Sequence, residues 1–297
     1  MIVSVEVGLA STGMAVLSSL GLTAYTLVLY TVLRRPVIFS NTFYHYIVSL
    51  GVSDCIMLCL FLFYAVPSTL LQRHPMGEQF DQAMGVLCNI GWYSALPVII
   101  SIALNRYFAI CRCGKYRKVF TKAVVRRNLV LVWALALLSA APQATPCCHL
   151  HYYYQSYSWA YELGLSGTRV YVWWERCYVF VTIMSLVVSY SLILQKVRMV
   201  ERKVNPERSS QVTNSSRRTV ARKQKQELNL AVMFLGVGVY LLVFDAVFTI
   251  LPEVTQKPQY LYVSSVMYII NCSINPFIYL TLNSTVRKEV ANVLGLK

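Results

Sequence analysis

Asp54 sits midway along an apolar stretch, and in another such stretch Asn271 and Asn275 stand one helical turn apart on the same face. A lone charged carboxylate is costly in apolar surroundings, so Asp54 is either protonated or holding a cation. The two carboxamides offer it polar partners, and the plainer alternative is a hydrogen-bonded knot between helices. Asn275 also opens the string Asn275-Pro276-Phe277-Ile278-Tyr279. There the proline removes a backbone hydrogen bond from an apolar helix, and the asparagine can satisfy the freed groups. A third apolar run ends in Asn105-Arg106-Tyr107, followed by a basic segment. A single arginine at a helix end is usually a snorkelling anchor, but here it stands with two other motifs.

The elements that must position these residues follow from composition. Of the 297 residues, 57% are hydrophobic and 13% charged, about half the charge of an ordinary soluble domain. A spanning helix needs about 20 apolar residues. Seven stretches meet that need: Val7–Leu33, Phe43–Val66, Gln82–Ile110, Asn128–Pro146, Trp173–Gln195, Leu228–Leu251 and Gln259–Leu282. The fold expected is an all-α membrane protein, a single seven-transmembrane bundle. Ser284–Leu296 is patterned as a short amphipathic surface helix. Val7–Leu33 reads as a retained first span and not a cleaved signal.

Of the 27 Lys and Arg, only Arg73, Arg169, Arg176 and Lys257 fall on one side of this arrangement. The positive-inside bias therefore puts the N-terminus outside and the C-terminus in the cytosol. The net charge of +15 becomes a topology signal and an attraction to anionic lipid; a nucleic-acid partner is excluded. The third cytosolic loop carries Ser209, Ser210, Ser215, Ser216 and Thr219 among basic residues. It reads as a solvated loop, with phosphorylation as the sharper alternative. The sequons at Asn214 and Asn283 fall on the cytosolic side and should stay unglycosylated. No CxxC pair, Cys/His metal cluster or nucleophile–base pair stands out, so neither a metal nor an enzymatic activity is expected. A transporter or channel is the alternative function, but no internal repeat or continuous polar path supports it.

Taken together, the chain resembles a rhodopsin-like G-protein-coupled receptor over almost its whole length. The resemblance rests on Leu50-x-x-x-Asp54, Asn105-Arg106-Tyr107, Trp133, Tyr190, and Asn271 with Asn275-Pro276-x-x-Tyr279. Within that group it is most similar to the nematode chemosensory serpentine receptors of class X. The segments Phe61–Pro67, Leu104–Ile110 and Lys115–Phe120 carry this narrower likeness. The resemblance implies a plasma-membrane receptor with a heterotrimeric G protein as partner and an external ligand, a small molecule favoured over a peptide. It implies that Arg106 meets the G protein once the inner ends of spans five and six move outward. Tyr190 and Tyr279 would steady that state, while Asp54, Asn271 and Asn275 would form a sodium-type pocket favouring the closed one.

Several positions depart from the pattern. Asn105 replaces the usual acid before the arginine, leaving Glu227 as a substitute lock, or else a leaky resting state. Span one lacks its usual asparagine, Thr182 stands where a proline is common, and span six has no C-W-x-P string. Asp81 takes the place of the cysteine that joins span three to the second outer loop, which leaves Cys147 or Cys148 with Cys177 as the available pairing. Cys88 stands at the site where amine receptors hold a carboxylate, and Ile269 at the retinal lysine, arguing against both ligand types. Cys88, Trp92, Tyr93, Asp245 and Tyr268 lie at pocket depth. The aromatics between Cys147 and Trp174 read as an interfacial belt, or as a ligand lid.

Overall fold

In lipid a segment must satisfy its own backbone hydrogen bonds, so the apolar runs form helices. The computed structural model describes residues 4–162, 164–204, 236–248, 250–251, 254–255 and 257–295. Six helices are long and apolar enough to cross a membrane: α1 (Val5–Arg34), α2 (Thr42–Leu71), α3 (Glu78–Cys111), α4 (Lys122–Ala144), α5 (Thr168–Val204) and α7 (Pro258–Leu282). In the sixth position the described part is a shorter apolar helix, α6 (Gly236–Phe248). Leu228–Leu235, Glu227, Asn214 and the loop residues Ser209, Ser210, Ser215, Ser216 and Thr219 lie outside the described residues.

Several helices outrun their apolar stretches. Helix α4 starts at Lys122 because the Thr121 side chain caps it, accepting from the Val124 amide. Helix α2 passes through one π-type turn at Phe61–Ala65 just before Pro67, which absorbs the hydrogen bond the proline removes. Helix α7 keeps Pro276 in its interior and ends at Asn283. The Asn283 side chain accepts from the amides of Thr285 and Val286 and so starts α8 (Ser284–Val293). Helix α8 buries Val286 and Val290 against the bundle, and Arg35 pairs with Glu289 at 3.1 Å. Its apolar face therefore seats on the protein itself.

The most enclosed element is α3, which packs against α2, α4 and α5, while α1 lies along α7. Helix α4 instead turns Val130, Leu131, Leu135 and Leu138 outward, the exposure expected of a lipid-facing surface.

One short element stands beside the expected helices. Leu150–Tyr153 (β1) and Ser158–Tyr161 (β2) form an antiparallel hairpin with Leu150 opposite Tyr161 and Tyr153 opposite Ser158. Alternation along the strands turns Leu150, Tyr152, Trp159 and Tyr161 into the bundle. The hairpin aromatics roof one end of the bundle, while Trp173 and Trp174 on α5 face outward.

Candidate functional site

Asp54 is buried at the meeting of α1, α2 and α7. One of its carboxylate oxygens accepts from Asn275 Nδ2 at 2.9 Å and from the Tyr25 hydroxyl. Tyr25, fully buried on α1, supplies the partner that the missing span-one asparagine seemed to withhold. Asn271 is buried one turn earlier on α7 but is not among the hydrogen-bond partners of Asp54. Beside this knot, Ser53 and Ser94 share a 2.7 Å hydrogen bond, and Trp133 Nε1 donates to Ser49 at 3.1 Å, tying α3 and α4 to α2.

At the far end of α3 from the hairpin, the Arg106 guanidinium lies 3.6 Å from the centre of the Phe43 ring, a cation–π arrangement. Asn105 is buried and donates to the Tyr116 hydroxyl at 3.3 Å, so in place of an acid it holds the short helix Cys113–Val119 against α3. Tyr107 rests edge-on against Phe108. Tyr190 and Tyr279 are both buried, and the Tyr279 hydroxyl has no hydrogen-bond partner among the described residues.

At the hairpin end a small cavity is lined by residues including Cys88, Trp92, Tyr161, Glu175, Asp245 and Tyr268. Its free volume is about 20 Å³, room for little more than one water molecule. Trp92, Phe244 and Tyr268 form one aromatic corner, with ring centres 5.2–5.7 Å apart. Tyr161 donates to Glu175 at 2.6 Å and accepts from Asn89 at 3.4 Å, so the hairpin roof is bonded directly to α5 and α3. Of the five pocket residues expected, Tyr93 alone does not line this cavity; it packs edge-on between Tyr171 and Tyr178. Glu175, Asn89, Leu150, Phe244 and Phe248 line it as well and were not expected. Glu175 carried a signal, being an acid inside an apolar span.

The place of the absent cysteine is filled by a polar latch. Asp81 is fully buried at the head of α3 and accepts from the Tyr64 hydroxyl at 2.5 Å, the backbone N–H of Tyr152 at 3.3 Å and His151 Nδ1 at 2.5 Å. His74 Nδ1 lies 3.4 Å away. The Asp81 carboxylate holds the His151 imidazole above the usual histidine range. The pairing of Cys148 with Cys177 is not formed. All nine cysteines are free, with Cys177 exposed and the sulfurs of Cys147 and Cys148 2.8 Å apart. Asp81→Ala should leave Tyr64, His151 and the Tyr152 amide short of an acceptor. A loss of about 1–3 kcal/mol is expected, read as a lower melting midpoint of the purified protein, and an unchanged midpoint would show that the latch is not structural.

The profile of the serpentine type 7TM GPCR chemoreceptor family Srx matches residues 16–283, nearly the whole bundle. The chain belongs to this family.

As a member of the Srx family it is similar to G-protein-coupled receptors of other animals. Growth hormone secretagogue receptor type 1 of Oryctolagus cuniculus is 27% identical over 224 residues, 69% of this chain. The match spans only 58% of that relative's length. Melatonin receptor type 1A of Mus musculus is 24% identical over 259 residues, 84% of this chain and 70% of that one. A crystal structure of squid rhodopsin superposes with a TM-score of 0.76 at 15% identity, covering 96% of this chain and 84% of that chain. That likeness establishes the fold of this Srx chain: a seven-helix bundle with a short C-terminal helix. The family is one of receptors and not of enzymes or transporters.

Proposed function

We propose that this Srx chain is a plasma-membrane chemosensory receptor that binds a small external ligand beneath the hairpin and activates a heterotrimeric G protein. The basic segments support an orientation with the hairpin outside and the Arg106 end in the cytosol. Arg106 is the group that meets the G protein. Tyr190 and Tyr279 serve the open state, and the Tyr279 hydroxyl, buried without a partner, is available for a new bond there. Asp54 with Asn275 and Tyr25 is the polar hub of the closed state, a place for a sodium ion, with Asn271 as a nearby carboxamide. Juxtaposed basic segments and the outward apolar faces make lipid its immediate partner.

The observation that carries the ligand reading is the cavity. It is nearly filled, so a small molecule suits it better than a peptide, and entry requires the hairpin or its aromatic corner to shift. Cys88 removes the carboxylate that amine receptors place on α3, yet Glu175 and Asp245 bring two carboxylates to the same cavity from α5 and α6. Beside Trp92, Phe244 and Tyr268, these favour a ligand with a cationic or strongly donating group set against an apolar body. Arg176 is within electrostatic reach of both acids, and so the pocket is not simply anionic.

The test is ligand-dependent nucleotide exchange on a purified G protein, screened with small cationic and neutral compounds. For an active cationic compound, Glu175→Gln and Asp245→Asn should each raise the half-maximal concentration by about tenfold or more, the loss of one charged hydrogen bond. Activation by neutral compounds alone, indifferent to both variants, would overturn the assignment. Ligand-gated ion flux without nucleotide exchange would favour a channel.

A further inference from the structure

Two histidines and a glutamate that lie apart in sequence are brought to one face of the hairpin by its register. Because Leu150 stands opposite Tyr161, His149 falls opposite Glu162, and the Glu162 amide donates to the His149 carbonyl at 3.0 Å. With a period of two along each strand, His149, His151 and Glu162 share the face opposite to the buried Leu150, Tyr152 and Tyr161. Glu162 Oε2 lies 3.5 Å from His149 Nδ1 and 3.6 Å from His151 Nε2, and one ligand atom from each residue lies within 4.8 Å of the others.

We propose that His149, His151 and Glu162 form a binding site for a divalent transition-metal ion of the zinc class.

Three features support it beyond proximity. First, the outer nitrogen of each ring is already committed. His151 Nδ1 bonds Asp81 Oδ2 at 2.5 Å, and His149 Nε2 lies 2.9 Å from the Thr145 carbonyl, which can only accept. The Gln82 amide nitrogen, which donates to the Gln143 carbonyl, lies 2.8 Å from the same His149 nitrogen. Nδ1 of His149 and Nε2 of His151 are thereby the nitrogens that face the Glu162 carboxylate, and an ion bound there would displace any protons they carry. Second, Asp81 behind His151 reproduces the carboxylate–histidine–metal relay that orients a ligating imidazole. Third, the spacing fits. Tetrahedral zinc with bonds near 2.05 Å separates its ligand atoms by about 3.4 Å, close to the two distances found. Two imidazoles and one carboxylate suit zinc and not calcium or magnesium, which take oxygen. Three protein ligands leave a fourth position for water or for a donor group of another molecule. The Glu162 side chain is 44% exposed, which gives the ion a route in. Glu162 directly follows Tyr161, whose hydroxyl is bonded to Glu175 in the cavity. An ion here would stiffen the roof and so modulate opening of the pocket below.

The test is titration of the purified full-length chain with Zn²⁺ against a chromophoric chelator, together with zinc X-ray absorption. One saturable equivalent with nitrogen and oxygen ligands is expected. Glu162→Gln, which leaves the Asp81 latch intact, and His149→Ala should each weaken binding at least about tenfold. A Cys147→Ser, Cys148→Ser double variant should bind as before. No saturable binding would mean that the three side chains are ordinary ion-pair partners. Sulfur in the zinc shell, or full affinity in both Glu162→Gln and His149→Ala, would place the ion elsewhere. Any of these results overturns the site.

Discussion

Arg106→Ala is expected to abolish ligand-dependent nucleotide exchange while leaving the receptor at the cell surface. In the structure the guanidinium rests on the face of Phe43, a contact worth about 0.5–2 kcal/mol. That is small against the packing of a seven-helix bundle, so folding and export should survive. Coupling should not, because a permanent, planar cation at the end of α3 is the group best suited to bind carbonyls of an incoming helix. Lysine at the same position keeps the charge but loses the fork, and should recover only part of the signal. Nucleotide exchange with purified G protein, normalised to surface-labelled receptor, reads both quantities. Coupling that persists in Arg106→Ala would remove this residue from the mechanism.

The second large effect is expected at Gly85, where a methyl group should unseat the hairpin. A Cβ built on Gly85 would lie 1.9 Å from the carbonyl oxygen of Leu150. The obstacle is backbone on both sides, so no rotamer change relieves it, and the hairpin must lift by about 1.5 Å to restore normal contact. Leu150 also lines the ligand cavity, and the neighbouring Tyr152 amide bonds Asp81. Gly85→Ala should therefore lower stability by about 1–3 kcal/mol, and ligand-dependent exchange should fall much further than stability does. Proteolysis within Leu150–Glu162 should accelerate in parallel. A variant with normal ligand response and a protected hairpin would show that the close approach is not required.

How much of this was legible in the sequence depended on contrast. Asp54, Arg106 and the Asn275–Tyr279 string stand out because polar groups inside apolar runs are rare and costly. Tyr25 did not, since a tyrosine is unremarkable in a membrane helix until its hydroxyl is seen to face a carboxylate. The hairpin was present as a signal, an aromatic-rich run of Leu150–Tyr161 with alternating polar residues and a Gln-Ser turn. Among so many interfacial tyrosines and tryptophans it read as a belt or a lid, not as a pair of strands. The metal-type trio was hidden for a related reason. Glu162 joins His149 only through strand pairing, and pairing register is not written in either residue. The pairing of Cys148 with Cys177 rested on the expectation that this loop needs a covalent anchor, and Asp81 shows that a buried carboxylate can serve.

That substitution has a consequence for how the protein is made and kept. A roof secured by hydrogen bonds and not by sulfur needs no oxidant to form. Lifting it to admit a ligand would take only a conformational change, without a redox reaction. Reductant in the surroundings, which would loosen a cystine-tethered roof, has nothing here to cleave.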